Sequence, residues 1–369
     1  MMIRYLIFIA SLNVSYAAAQ PGLNFSALKT QLDNQAPKIL QKHGAPGVAI
    51  AFVQGDDVVG FTAYGFADVA TQKPITKDTL FNVGSISKVV TTWGVMQLVV
   101  EGKVELDKPI NQYLKRWKIP DSEFGVEKVT LRNVLSHTSG LSLGPYRGWN
   151  SAAQVPSSIV DSLQGNNNGA GLVKLLHAPD SKWSYSGGGY SVVQLLIEDV
   201  SGLSFENYMQ QSVLKPLAMN HSTFKVTPKV MEQSATPYTD SGDITSMVYF
   251  VEHAAAGLHT TAMDLARFNL AILKNEQGEY NGAQLLPKAL IADMTTPANT
   301  GGRWSMSYVV DQSNASLGFA GFNRGWVSLS RSMTAQNIGY VILTNSSIGQ
   351  ITNDLDSFIL SKVAESQAN

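Results

Sequence analysis

Phe81-Asn82-Val83-Gly84-Ser85-Ile86-Ser87-Lys88 leads into an apolar run from Val89 through Val100 that stops at Gly102. The run reads as a buried helix, with a serine at its first turn and a lysine three residues on. A hydroxyl there lies near the positive end of the helix dipole, and residues three apart share a face. An ammonium taken out of water gives up its proton more readily and becomes a base for the serine. One turn of helix thus presents a nucleophile and its proton acceptor.

The spacing alone does not decide. Ser26-Ala27-Leu28-Lys29, Ser212-Val213-Leu214-Lys215 and Ser222-Thr223-Phe224-Lys225 share it. Ser26 opens an amphipathic pattern whose lysine faces solvent, and Ser212 and Ser222 flank Pro216 in a helix end and connector. Ser85 alone follows a glycine and opens a helix apolar enough to be buried. Serine is also a common N-cap, so a second stretch has to separate nucleophile from cap.

Outward from this helix, residues 27–43 have helical periodicity, and 47–53 and 58–64 are β-rich runs around the hairpin signal Gly55-Asp56-Asp57. Helical patterns follow at 131–135, 191–200, 205–214 and 262–273. Strands return at 304–310, 317–320, 326–330 and 338–344, and a last helix covers 353–364. Strands at both ends with helices between predict an α+β fold. Its antiparallel sheet is built from N- and C-terminal segments flanked by helices, and carries a mostly helical insertion. The α/β part spans about 20–88 and 275–369 and the helical part about 89–274. Ser85 falls at their junction, where a ligand crevice is expected.

Residues 1–19 read as a secretory signal: Arg4, an apolar run from Tyr5 to Val14, then Ala17-Ala18-Ala19 with cleavage after Ala19. The run is too short to span a bilayer, which disfavours the other reading, an N-terminal membrane anchor. The chain has no cysteine, so neither a lipoprotein anchor nor a disulfide framework is expected. An exported protein follows, periplasmic in a diderm bacterium, with no integral membrane anchor after processing. Lys and Arg total 27 against 28 Asp and Glu, with no basic run, which argues against nucleic acid as a partner. The six histidines form no H-E-x-x-H or similar cluster, so no metal is expected, and no cofactor motif is present. Residues 165–171 form a glycine- and asparagine-rich surface loop, and residues 144–170 are expected to shape a cleft entrance. A small-molecule substrate is the expected partner, and oligomeric state carries no sequence signal.

Trp183-Ser184-Tyr185-Ser186-Gly187-Gly188-Gly189-Tyr190 is the second informative stretch. Consecutive glycines are costly unless backbone must approach something closely. Tyr185 would project from a loop before a helix beginning at Ser191, and a tyrosine hydroxyl beside an ammonium can serve as acid or base. A glycine-rich helix entry with a packing tyrosine is the plainer reading.

Together these stretches resemble the serine β-lactamase and penicillin-binding-protein superfamily, in its class C β-lactamase-like branch, which includes D-Ala-D-Ala carboxypeptidases, D-aminopeptidases and esterases. Pro46-Gly47-Val48-Ala49-Ile50, the Ser85 block and Leu131-Arg132-Asn133-Val134-Leu135-Ser136-His137-Thr138-Ser139-Gly140-Leu141 are similar to its blocks in order. So are the Tyr185 block, Val213-Leu214-Lys215-Pro216-Leu217 and Ala256-Gly257-Leu258-His259-Thr260-Thr261 with Asp264-Leu265-Ala266-Arg267-Phe268. The resemblance implies an acylated Ser85, Lys88 as its proton acceptor and Tyr185 as a proton shuttle. It places the oxyanion hole on the backbone N–H groups of Ser85 and Phe322.

The chain departs from the family pattern twice. Gly187 stands where Tyr-x-Asn has the asparagine that binds an amide, and Phe319 stands where a lysine or histidine precedes the retained Gly321. Arg324 could restore a positive charge, if strand alternation turns it that way. Gly187, Phe319, Gly321 and Arg324 are therefore the expected substrate-binding positions. Losing two polar groups favours a neutral ester over a carboxylate-bearing β-lactam. The competing reading is a weak or inactive protein of this fold that binds cell-wall peptides or another partner.

Gly140-Leu141-Ser142-Leu143-Gly144 matches a nucleophile elbow but lacks the strand before the serine and the helix after it. His137 is expected to support a turn, His253 and His259 to line loops, and the tryptophans and Met294 to form core or cleft walls.

Overall fold

The computed structural model describes residues 23–368 except 143, 299 and 314. The expected signal peptide and the Ala19 cleavage site lie outside the described residues. In chain order the elements are α1 (Phe25–His43), β1 (Gly47–Gln54), β2 (Asp57–Asp68), β3 (Lys73–Pro74), β4 (Phe81–Asn82) and α2 (Ile86–Val100). Then come α3 (Leu131–Leu135), α4 (Ile159–Leu163), α5 (Gly187–Ser201), α6 (Phe205–Met209), α7 (Pro228–Gln233), α8 (His253–Ala256), β5 (His259–Thr260), α9 (Ala262–Leu270) and α10 (Lys288–Thr295). The chain closes with β6 (Val309–Asp311), β7 (Ser316–Asn323), β8 (Trp326–Met333), β9 (Ile338–Thr344) and α11 (Gly349–Ala368).

Seven strands form one antiparallel sheet in the order β3-β2-β1-β9-β8-β7-β6. Its centre joins the two ends of the chain: β1 pairs with β9, Val48 opposite Thr344 and Gln54 opposite Ile338. β1 is buried on both faces, which explains its near-continuous apolar sequence. Val48, Ile50 and Phe52 pack under α1 and α11 with Leu32, Ile39, Ile351 and Leu355. Ala49, Ala51 and Val53 face a second, larger core that includes Trp93, Leu265 and Phe268. Strand period two thus divides alternate residues between two hydrophobic layers.

The middle of the chain packs around α2, whose buried residues include Trp93, Met96 and Leu98. The small ladder of β4 with β5, Asn82 opposite His259, ties the approach to Ser85 onto this helical region.

Several expectations are corrected. Of residues 304–310 only Val309 and Val310 lie in a strand, β6: Trp304 and Val309 bridge a tight turn in which Ser305 N–H donates to Tyr308 O at 2.9 Å. Ser307 holds φ +74° there and donates its N–H to Leu135 O, so buried serines find partners in the turn that an extended strand would deny them. α5 begins at Gly187, not Ser191, with Ser186 as its N-cap accepting from Gly189 N–H at 2.8 Å. His253 opens α8 and His259 lies in β5, so neither lines a loop. α9 stops at Leu270, short of the expected 273, and α11 is longer than 353–364 at both ends.

Candidate active site

Ser85 sits at the N-cap position of α2, but its side chain makes no capping hydrogen bond. Its Oγ lies 2.6 Å from the Tyr185 hydroxyl and accepts from Lys88 Nζ at 3.2 Å. The plain-cap reading therefore fails on geometry. Lys88 is 2% exposed; its Nζ also donates to Ala255 O at 2.6 Å and lies over the rings of Tyr185 and Tyr190 at 5.0 and 5.6 Å. All these partners are uncharged, and carbonyl and ring faces supply the electrostatic compensation that a carboxylate would otherwise give.

Two close approaches place β7 against this turn. A Cβ on Gly321 would sit 1.9 Å from Val83 O. Gly84 has φ +51°, and a Cβ there would meet Phe322 N at 2.7 Å. The backbone of Phe322 thus lies directly against the residue preceding the serine. Buried amides pin the crossing: Asn82 Oδ1 accepts from Gly84 N–H at 2.9 Å and from Asn323 Nδ2 at 2.5 Å. Ser328 Oγ donates to Val83 O at 2.9 Å.

Along β7, Phe319, Gly321 and Asn323 are buried, whereas Ala320, Phe322 and Arg324 are exposed. Alternation therefore turns Arg324 away from the Phe319 side. It donates to Asn150 Oδ1 and to Ser246 Oγ, fastening the loop after Gly144 to the tip of the β7–β8 hairpin. Phe319 is 7% exposed and meets Trp304 edge-on with ring centres 5.5 Å apart. Trp304 in turn stacks on Trp183 at 4.8 Å and 24°. Both tryptophans are half-buried and lie 6.4 Å from the Tyr185 ring. Gly187 offers no open space: a Cβ there would meet Gly144 O at 2.6 Å and the Tyr146 ring at 3.2 Å.

His137 supports a turn at φ +59°, accepts from Ser186 N–H through Nδ1 at 3.1 Å, and packs its ring 4.5 Å from Tyr185. Burial, with the Lys88 charge nearby, pushes it down to about 3, so the imidazole is neutral. Its Nε2 and the Trp183 Nε1 have no hydrogen-bond partner among the described residues. Tyr190, beneath Lys88, donates to Leu135 O at 3.2 Å and bonds Ser307; burial raises its hydroxyl well above the usual range.

The other S-x-x-K serines lack such surroundings. Lys29 pairs with Asp33 in solvent, and Ser222 Oγ donates to Asp264 at 2.9 Å. Ser212 lies in a π-helical turn. Ser142 donates to Leu172 O and accepts from Lys174 N–H, a structural role. No group of His, Asp and Glu suited to a metal occurs among the described residues, and no described helix is long and apolar enough to cross a membrane.

The sequence profile of the family described as "Beta-lactamase" matches residues 32–363. This chain belongs to the beta-lactamase family. A beta-lactamase of Yersinia enterocolitica is 26% identical over 287 residues, covering 76% of this chain and 68% of that protein. Among solved structures, an octameric penicillin-binding protein homologue from Pyrococcus abyssi superposes with TM-score 0.73 at 24% identity, covering 92% of this chain and 78% of that one. A class C beta-lactamase in complex with cefoxitin gives TM-score 0.70 at 22% identity, covering 89% and 98%. These structural likenesses establish the β-lactamase/transpeptidase-like fold. The residues around Ser85 that sequence reading passed over are Asn82, Asn323 and Ser328, whereas Trp304 is expected from the sequence in the core or a cleft wall but at the start of a strand. The two asparagines and Ser328 act through buried hydrogen bonds that no motif announces, and the strand-like surroundings of Trp304 masked its turn.

Proposed function

We propose that this member of the beta-lactamase family is an exported serine hydrolase that works through an acyl-Ser85 intermediate and prefers uncharged esters to carboxylate-bearing β-lactams. The observation that carries the reading is the joined set Lys88 Nζ–Ser85 Oγ–Tyr185 OH at 3.2 and 2.6 Å, beside a strand with no cation where the family has one. Ser85 Oγ forms a bond to the ester carbonyl carbon and passes its proton to Lys88 Nζ. The N–H groups of Ser85 and Phe322 hold the oxyanion, worth roughly 3 kcal/mol for a well-placed donor. As the carbon–oxygen bond breaks, Tyr185 gives its proton to the leaving alkoxide and regains one from Lys88. Water then attacks the acyl carbon, its proton passes to Lys88 by way of the Tyr185 hydroxyl, which takes one proton as it gives one, and Ser85 leaves as Lys88 returns that proton to its Oγ. The sum is ester plus water to acid plus alcohol.

Export rests on the leader pattern of residues 1–19. The hydrogen-bonded reacting groups weigh against a purely binding role for the fold. Incubation of the mature protein and Ser85→Ala with p-nitrophenyl acetate, p-nitrophenyl butyrate and nitrocefin, followed by absorbance and intact mass, tests the reading. Ester turnover that falls by about 10³-fold or more in Ser85→Ala, an acyl adduct on Ser85 and little nitrocefin cleavage are expected. Absence of both turnover and adduct overturns it.

A further inference from the structure

Trp183, Trp304 and Phe319 form a continuous aromatic wall beside the reacting groups. Trp304 touches both of the others, edge-on to Phe319 at 5.5 Å and stacked on Trp183 at 4.8 Å. Both tryptophans reach the Tyr185 ring at 6.4 Å. The pair is half-buried, so part of the ring surface remains open to solvent. The wall carries no charge: His137, packed edge-to-face against both tryptophans, is neutral. Arg324 is held on the outer face by Asn150 and Ser246.

Resting on the acyl-Ser85 reading, we infer that this wall is a leaving-group subsite for an uncharged aryl group, so that the favoured substrates are esters of aryl-bearing alcohols. Tyr185 hands its proton to the departing oxygen, so the rings contiguous with Tyr185 flank the alcohol side of the ester rather than the acyl side. A planar ring stacked on exposed tryptophan gains area burial and aromatic contact together. A carboxylate laid against the same ring faces would lose hydration that the rings do not replace. A sugar would need hydroxyl partners where the wall offers Phe319.

Three acetates with one acyl group and unactivated primary-alkyl leaving groups separate these cases: 2-phenylethyl acetate, n-propyl acetate and 4-(2-acetoxyethyl)benzoate. Wild type is expected to hydrolyse the phenylethyl ester with kcat/KM at least tenfold above the propyl ester and at least tenfold above the carboxylate-bearing one. In Trp304→Leu the phenylethyl-to-propyl ratio falls towards one, and in Trp304→Phe it is partly retained. Equal rates on phenylethyl and propyl esters, or full rate on the carboxylate, overturn the subsite while Ser85-dependent propyl turnover upholds the hydrolase. If no ester turns over and a fluorophosphonate leaves Ser85 unlabelled, the hydrolase reading fails and the subsite is judged by binding. A saturable change of tryptophan fluorescence with 2-phenylethanol, lost in Trp304→Leu, then supports it, and no saturable change overturns it.

Discussion

On the α2 side of the cleft every group around Ser85 is polar and hydrogen-bonded: Lys88, Tyr185 and the Ala255 carbonyl. On the facing side, from β7 to the turn at residues 301–308, the side chains are rings, Phe319 against Trp304 against Trp183. In the proposed mechanism the first wall holds the atoms that move protons, and their geometry tolerates little change. The second is the inferred leaving-group subsite, and its three side chains are apolar or aromatic. Under the proposed function, such an arrangement would keep the reaction while altering what is recognised, although Trp183 and Tyr185 share one segment before α5.

Breaking the polar wall should have the largest effect. Tyr185→Phe and Lys88→Met are each expected to lower kcat/KM for p-nitrophenyl esters by about 10³-fold, as for members of an interdependent catalytic set. Lys88→Met should nevertheless melt at or above the wild-type temperature. Replacing a buried amine that has no carboxylate partner by an apolar side chain of similar length removes the cost of burying a polar group. Steady-state kinetics with thermal melting checks both halves, and a Lys88→Met protein with wild-type rates would dissolve the distinction between the walls.

The contrast also explains what the sequence made legible. Ser85, Lys88 and Tyr185 could be picked out because each is joined to a local signal, a helix start or a glycine run, and the strands from apolar runs such as 338–344, which is β9 residue for residue. The aromatic wall could not. Trp304 is 121 residues from Trp183 and comes to it only because Ser307 adopts a left-handed turn bonded to Leu135 and Tyr190. Nor could sequence show that the place vacated by the family's asparagine is filled. At Gly187 the missing side chain is replaced by the Gly144 carbonyl and the Tyr146 ring.

The seam between the walls is the next target. Gly321→Ala would drive its Cβ to 1.9 Å from Val83 O, backbone against backbone. A loss of about 1–3 kcal/mol of stability is expected from such overpacking, with a fall in acylation rate as Phe322 N moves off the oxyanion position. Gly187→Asn meets a backbone carbonyl at 2.6 Å and the buried Tyr146 ring, which is tied to Ser191, so it should cost about 1–3 kcal/mol without creating nitrocefin turnover. Urea unfolding and nitrocefin assays test the pair. Gain of β-lactam hydrolysis in Gly187→Asn would show that this recognition was lost through one residue rather than through both walls.

The smallest effect belongs to His137, whose ring touches Tyr185 on one side and Trp304 on the other. Burial depresses it from 6.5 to about 3 in the fold, and His259, also buried, falls to about 4. Between those values and 6.5 the unfolded chain binds protons that the native state refuses, so stability is present above pH 6.5 and is lost as pH falls. Each group contributes a slope of about 1 kcal/mol per pH unit. His137→Gln keeps an acceptor for Ser186 N–H and removes one of the two titrations. The slope of unfolding free energy between pH 6 and pH 4.5 should therefore fall by about 1 kcal/mol per pH unit relative to wild type. Because His137 stays neutral throughout, the ester kcat/KM profile between pH 5 and pH 8 should keep its shape in the variant. A changed profile with an unchanged stability slope would make His137 a participant in proton transfer and move it from the seam into the polar wall.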